Sequence, residues 1–454
     1  MNLNWFSPLP PAKTGIADFV SGILPALAER AHVTLWTDQT KWDRSIEEYA
    51  QVRSFRLEQM PWDELNRADL NFYNIGNNHL FHGSIWQVAR RQPGAVILHD
   101  LRLHEFFDSL YRDQWQDTDG YLAQMATHYG EDGRNAAEES VKNGATGIHS
   151  LAERYPLTAL ALEGSLGVLV HTREAYEELK QANRWLVAYA PLPFSQKLQS
   201  RGARERIRAN SQPYRLIVFG FINRNRRLDV LLQALAQFPQ KDKFLLHIYG
   251  EVWDPGHIRQ QIQSLGLGRH VTLRGFVSES DLDVALAAAD LAVNLRFPTM
   301  GEASISQLRI WAHALPTLVT SVGWYGGLPD NVVAHVRPEH EMLDIQKHLN
   351  AFLTDPDRFA QMGEQGRRLL AEQHSVGGYV EAVLDLALQA QQFRPRAVAY
   401  KLTERVGESM SAWAEALASD ESLRKVAEEI FVLTNAARSN LRPERRHPCL
   451  PTSD

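Results

Sequence analysis

Short apolar runs separated by longer amphipathic stretches occur in two series along this chain, and they limit the folds open to it more than any other feature. The first series comprises Leu3 to Phe6, Val33 to Thr37, Leu70 to Tyr73, Ala95 to Leu98, Leu166 to Val170 and Leu186 to Ala190. The second comprises Leu216 to Phe219, Phe244 to Tyr249, Val271 to Leu273, Leu291 to Leu295, Thr317 to Thr320 and Val332 to Val336. A strand that is apolar throughout is buried on both faces, and helices recurring between such strands cover a parallel sheet on each side. The pattern therefore predicts an α/β protein with two Rossmann-like, doubly wound parallel-sheet domains, facing a cleft at the carboxyl ends of their strands. Between Pro191 and Pro213 the rhythm stops, and Lys197, Arg201, Arg204, Arg206 and Arg208 crowd a segment suited to a linker. The expected domains are residues 1–205 and 206–390, followed by a helical extension and basic tail over 391–454. Residues 102–155 also depart from the rhythm; they are polar and helix-prone, and read as a helical insertion that covers an acceptor groove.

A chain of 454 residues exceeds what one hydrophobic core usually organises, which favours at least two domains. A formal charge of −6 argues against a nucleic-acid partner, because neutralising phosphates takes a basic excess or a basic face. The single cysteine, Cys449, rules out an intrachain disulfide and fits a reducing, cytoplasmic compartment. Met1 to Phe6 lacks the basic start and apolar run of an export signal, and no run of about 18 apolar residues suggests a membrane span. Peripheral attachment is a separate expectation. Arg438, Arg442, Arg445 and Arg446 form a patch that suits an anionic membrane surface, set against the blander reading of a solvated terminus.

Four segments carry the chemistry. In Phe6-Ser7-Pro8-Leu9-Pro10-Pro11-Ala12-Lys13-Thr14-Gly15-Ile16-Ala17-Asp18, prolines stiffen a loop and Gly15 at a helix entrance lets amides approach an anion or sugar. In the second, Asn77 and Asn78 precede a strand that ends at His99-Asp100, with His104 just beyond, so these side chains collect at one strand end. The third is Asn294-Leu295-Arg296-Phe297-Pro298-Thr299-Met300-Gly301-Glu302-Ala303-Ser304, a small-residue turn before a helix. Free N–H groups and the positive end of the helix dipole make such a turn a cradle for a diphosphate. Glu302 and Ser304 also suit plain helix capping, which is compatible with that role. Fourth, Phe219-Gly220-Phe221-Ile222-Asn223-Arg224-Asn225-Arg226-Arg227 puts arginines at a helix start, where the dipole disfavours them unless an anion is bound.

Taken together these segments resemble glycosyltransferase family 4, whose members have the two-domain GT-B fold and transfer sugars from nucleotide donors with retention of configuration. The likeness runs through residues 1–390 and is densest from Arg215 to Asp330. It implies a retaining hexosyltransferase with a mannose- or glucose-type GDP- or UDP-sugar donor and a glycan or lipid-linked acceptor, as in surface polysaccharide synthesis. No cofactor or metal is implied. His99 and Glu302 take the catalytic positions, and Asn77, Asn78, Asp100 and His104 the acceptor side. Gly15, Arg224, Arg226, Gly250, Phe276, Gly301, Ala303, Ser304 and Arg309 take the donor side. His247-Ile248-Tyr249-Gly250 and Leu273-Arg274-Gly275-Phe276-Val277 add weaker matches, the latter to a loop that holds the nucleobase. Two departures are visible. The family's paired glutamates fall at Gly301 and Arg309 when counted back from Pro316, and arginine has only donors with which to meet ribose hydroxyls. Phe221 stands where an arginine is usual, and Arg226 takes the place of a lysine. These departures keep a sugar-nucleotide-binding or scaffold role open as an alternative. A nicotinamide oxidoreductase is disfavoured, since no Gly-x-Gly-x-x-Gly follows the first strand.

Overall fold

The computed structural model describes residues 1–143, 148–195 and 213–392, with only the backbone of 148–150. Its first sheet has strands β1 (Asn2–Phe6), β2 (His32–Thr37), β3 (Gln51–Ser54), β4 (Leu70–Ile75), β5 (Ala95–Leu98), β6 (Gly167–Val170) and β7 (Val187–Tyr189), in the spatial order β3-β2-β1-β4-β5-β6-β7. The second has β8 (Tyr214–Ile222), β9 (Phe244–Val252), β10 (Val271–Gly275), β11 (Leu291–Asn294), β12 (Thr317–Thr320) and β13 (Ala334–Val336), in the order β10-β9-β8-β11-β12-β13. Every pairing is parallel. In each sheet the order reverses beside the first strand, the doubly wound plan that opens a crevice at the switch point.

The expected strands are present, and two differences have physical reasons. Strand β3 was not anticipated, because Gln-Val-Arg-Ser at a sheet edge is exposed or half-buried throughout and has no apolar run. Strands β8 and β9 run past the predicted Phe219 and Tyr249, staying in register to the pair Ile222 and Val252. That extension is partly exposed, so its polar and glycine residues broke the apolar signal.

Seven helices matter for the site: α1 (Gly15–Ala28), α2 (His79–Arg91), α3 (Thr118–Lys142), α4 (Leu228–Ala236), α5 (Glu279–Ala288), α6 (Ile305–Ala312) and α7 (Pro356–Gln373). An eighth, α8, occupies residues 376–392. The α3 region lies within the stretch expected as a helical insertion. Helix α8 returns the chain to the first domain, where Val383, Leu386 and Ala387 join Leu3, Trp5, Phe19 and Leu169 in one core that also takes in Trp311 and Tyr325 of the second domain. Polar ties reinforce the return: the His374 imidazole meets the Leu192 carbonyl at 2.6 Å, and Gln391 donates to Asp69 O at 3.3 Å. The two domains thus share buried apolar surface, the dominant favourable term in such packing. Residues 196–212 of the linker predicted between Pro191 and Pro213, and the tail from 393 with Cys449 and the arginine patch, lie outside the described residues.

Helix α7 seats α6 from behind, and its glycines set the distance. A Cβ on Gly363 would stand 2.1 Å from the Ala314 carbonyl oxygen, a backbone atom with no side-chain freedom to yield. Gly363→Ala should therefore lower stability by about 1–3 kcal/mol through overpacking, although alanine is the better helix former by about 1 kcal/mol. Thermal unfolding followed by circular dichroism should show a melting point several degrees lower; an unchanged one would contradict this tight seating.

Candidate active site

The crevice is built from backbone before any side chain enters it. Gly220 and Gly250, paired in β8 and β9, have φ of +101° and +111°, and a Cβ on Gly250 would lie 2.1 Å from Gly220 O. Only glycine allows that approach. Facing them is the start of α6, where Ser304 Oγ accepts from Gln307 N at 3.1 Å and leaves the other first-turn amides without helical partners. From the first domain, Gly15 comes close enough that its Cβ would touch Ile305 at 3.5 Å. A positive helix end thus sits between small residues of both domains, an arrangement suited to an anion.

Two arginines deepen the positive field. Arg226 is 5% exposed. Its Nη2 donates to Phe219 O at 3.2 Å, while Nε and Nη1 are buried without a hydrogen-bond partner. Burial, then the neighbouring charge of Arg296, lowers its pKa to about 10, with Tyr325 and Glu302 opposing the shift. Arg296 Nε lies 3.1 Å from Glu302 Oε1 but off the line of a hydrogen bond. Burial acts to lower this guanidinium too, but Glu302 and Tyr325 outweigh it and hold it above its ordinary value. Two guanidiniums therefore share the charge of one nearby glutamate, and orphaned buried donors of this kind are costly unless a ligand meets them.

Glu302 also shapes its own loop. Its Oε2 accepts from Thr299 Oγ1 at 2.7 Å and from Met300 N at 2.8 Å. The Met300 carbonyl in turn accepts from Arg102 N at 2.8 Å, docking the turn onto the first domain. Gly301, at φ +81°, faces Leu101 so closely that a Cβ would lie 2.6 Å from the Leu101 Cβ.

Across this junction stand His99 and Asp100. Asn74, fully buried at the end of β4, donates to Phe6 O at 3.0 Å, so its Oδ1 accepts from His99 Nε2 at 2.9 Å and leaves Nδ1 as the ring's acceptor. His99 packs against Phe19 and His171, with ring centroids 5.1 and 4.9 Å away. Burial, then the neighbouring His171 and His82, holds it well below its ordinary pKa, so it is neutral. The Asp100 carboxylate accepts from Asn77 N at 2.7 Å. Burial, followed by the charge of Glu302, raises Asp100 to about 7, against the lowering effects of Asn77 and Arg296.

The residues singled out from sequence do not all gather here. His99, Asp100, Gly15, Arg226, Gly301, Glu302, Ala303 and Ser304 line or frame the junction. Asn77 supports it through Asp100 and accepts from Phe106 N at 3.0 Å. Asn78 caps α2 instead, accepting from Leu80 N at 3.0 Å. His104 is fully buried, with Nδ1 2.6 Å from Tyr155 O and Nε2 2.7 Å from the Tyr121 hydroxyl. Arg224 turns away from Arg226 and lies 4.3 Å over the Trp253 ring. Arg309 is directed into α5, and Phe276 is 64% exposed beneath Lys13. Arg296 and Asn74 were given no role in the sequence reading. Arg296 is the second residue past β11, a charged group at a strand's carboxyl end, and that was its available signal. Among the described residues no group of three or more His, Cys, Asp or Glu side chains is placed to hold a metal ion.

Residues 200–369 match the family model for glycosyl transferases group 1. No curated protein matches the sequence. Among solved structures, the chain is similar to HepE of Anabaena in complex with UDP, at 15% identity and TM-score 0.58, over 85% of this chain and 98% of that one. It is similar to sucrose-phosphate synthase from Thermosynechococcus elongatus at 19% identity and TM-score 0.57, over 88% and 100%. A third similar structure is WaaG, a glycosyltransferase involved in lipopolysaccharide biosynthesis, at 16% identity and TM-score 0.56, over 85% and 99%. At these identities the likeness shows the fold, which is GT-B. With the group 1 match in the second domain, it supports a glycosyltransferase.

The electrostatics of the junction predict a pH effect on stability. Folding raises the Asp100 pKa from 3.8 to about 7, so between those values the native state binds more protons than the unfolded chain and stability falls as pH rises. Asp18, raised from 3.8 to about 6, acts in the same direction. The melting point of Asp100→Asn should accordingly fall less between pH 5.5 and 8 than that of wild type. Parallel curves would show that Asp100 is not perturbed.

Proposed function

We propose that this chain is a nucleotide-sugar-dependent glycosyltransferase of family 4 type, transferring a hexose with retention of configuration to a glycan or lipid-linked acceptor. The observation that carries the reading is the buried Arg226 guanidinium, with Nε and Nη1 unpartnered, beside Arg296 at the start of the cleft. A diphosphate supplies the missing acceptors and the missing negative charge. The β-phosphate would lie against Arg226, Arg296 and the amides that open α6, so charge developing on the leaving group meets donors fixed in advance. The sugar would then face His99 and Asp100. The contact from Met300 O to Arg102 N closes the junction and limits access of water that would hydrolyse the donor.

The remaining assignments rest on sequence. The acceptor side is placed on residues 1–205 and the donor side on 206–390, with GDP- and UDP-hexoses as donors and surface polysaccharide synthesis as the setting. A cytoplasmic location is proposed from the single cysteine, and peripheral contact at the inner membrane face from the arginine patch near the C-terminus. Among the described residues no helix is long and apolar enough to cross a membrane.

A thermal-shift panel of UDP, GDP, ADP and their glucose and mannose derivatives identifies the base, since a ligand bound by the native state alone raises its stability. Arg226→Ala should then weaken the matching nucleoside diphosphate at least roughly tenfold while sparing the free nucleoside, because a charge-assisted bond contributes about 1.5–3 kcal/mol. Equal losses for both would contradict the phosphate assignment. Binding without turnover on any acceptor would favour the scaffold alternative.

Glu302→Gln tests the turn separately. Removing the charge frees Arg296 and sets an amide donor against Thr299 or Met300, so transfer should fall at least about tenfold, near 1.4 kcal/mol of barrier. Wild-type kinetics in this variant would remove Glu302 from the site.

A further inference from the structure

The turn from Asn223 to Arg227 sends Arg226 into the phosphate cradle and Arg224 away from it, to the rim of a separate cavity. That cavity has a volume of about 320 Å³ and lies at the carboxyl ends of β8 and β9. Its size is at the lower end for small-molecule sites, and strand carboxyl ends are where open α/β sheets hold ligands. The floor is apolar, made by the buried side chains of Ile222, Leu228 and Ile258. Trp253 forms one wall and is 59% exposed. Apolar surface that is left open, concave and rimmed by polar groups marks a binding groove.

The rim supplies the polar chemistry. The Arg224 guanidinium lies 4.3 Å from the Trp253 ring centroid, which covers one face of the indole and steadies its orientation. Asp254 caps the helix Pro255–Ser264, its Oδ1 accepting from His257 N at 2.9 Å. Asp229, in the first turn of α4, has its Oδ1 buried without a hydrogen-bond donor, although His257 Nε2 is 3.4 Å away. Beside it, Gln261 Oε1 is also buried without a donor, while Gln261 Nε2 donates to Asp229 O at 3.2 Å. Two neighbouring buried acceptors thus lack donors, a cost that a ligand hydroxyl would remove. Asp229 and Asp254 together outweigh Arg224, so a phosphate or other anion would meet repulsion here.

We propose that this cavity is a glycan-binding subsite that takes a neutral pyranose residue, outside the donor cradle. A pyranose combines an apolar C–H face with a rim of hydroxyls. Its face packs on the open side of the Trp253 ring, whose negative π-face attracts the partial positive charge of the C–H groups. One hydroxyl donates to Asp229 Oδ1, and others meet Asn223 and Asp254 at the rim. Arg224 lowers the ordering cost of binding, because the indole against which the sugar stacks is already constrained. The inference goes beyond the nucleotide reading above and does not depend on it. It also gives the exposed Trp253 and the outward turn of Arg224 a common purpose.

An array of neutral gluco-, manno- and galacto-oligosaccharides, probed with the full chain and followed by calorimetric titration of the best-bound member, tests this. Wild type should bind at least one series, and Trp253→Ala should bind it at least roughly tenfold more weakly, because tryptophans dominate the energetics of packed binding sites. Asp229→Asn should also weaken it several-fold, since an amide can turn a donor toward the sugar. Saturating UDP or GDP should leave glycan affinity unchanged, and Trp253→Ala should keep the wild-type thermal shifts with nucleoside diphosphates. Glycan binding that survives both substitutions, or that nucleoside diphosphates displace, would overturn the subsite. So would a wild type that binds no oligosaccharide on the array, or one that binds uridine or guanosine through Trp253 instead. Absence of any nucleoside diphosphate thermal shift in wild type would overturn the donor reading and spare this inference. Because Trp253 and Asp229 are not core residues, both variants should melt within about two degrees of wild type, which circular dichroism verifies.

Discussion

Glu302 holds the turn between β11 and α6, and much of the cleft depends on that turn. One of its oxygens accepts from Thr299 and Met300, and the other balances Arg296. Folded this way, the turn points the Met300 carbonyl at Arg102 and brings Gly301 against Leu101. The first domain is thereby fixed relative to the start of α6, and His99 and Asp100 come to the same junction as Arg226. The same carboxylate adds to burial in raising Asp100, and it opposes the lowering of Arg226 by burial and Arg296. A single charged group therefore shapes the turn and contributes, with burial, to the electrostatic balance of the junction.

Excess positive charge is kept in place by the apolar structure around it. Arg226 would gain from hydration, yet it keeps almost no surface, with Phe219 of β8 and the Tyr325 side chain beside it. Burying a charge without a full partner is unfavourable unless function requires it. The shared core of strand, α6 and α8 residues supplies the compensating burial. Apolar contacts of this core and the Met300–Arg102 contact at the site itself together join the domains around the unsatisfied guanidinium.

Several site residues could be recognised by type but not by role. His104 lies next to a strand end, as a cleft histidine would, yet the helix that starts with it turns the ring into the Tyr121 and Tyr155 cluster. Asn78 looked like an acceptor contact and is a cap. Arg224 and Arg226 lie two positions apart in a tight turn, which sends one side chain inward and the other over Trp253. Arg309 differs from the family pattern in charge, and only the spatial neighbours of α6 show that α5 brings a carboxylate to it.

The sequence by itself determined the two doubly wound sheets, the strands that close the cleft and the phosphate-suited turns, because apolar periodicity and small-residue turns act over a few residues. It did not determine the polar edge strand β3 or the extension of β8 and β9, where exposure removes the apolar signal. Tertiary structure alone decided which polar groups face one another: Arg226 with Arg296, Asp100 with Glu302, Arg309 with Glu279. Those pairs are far apart in sequence or lie on separate elements, and their charge states follow from burial and through-space fields that local pattern does not encode.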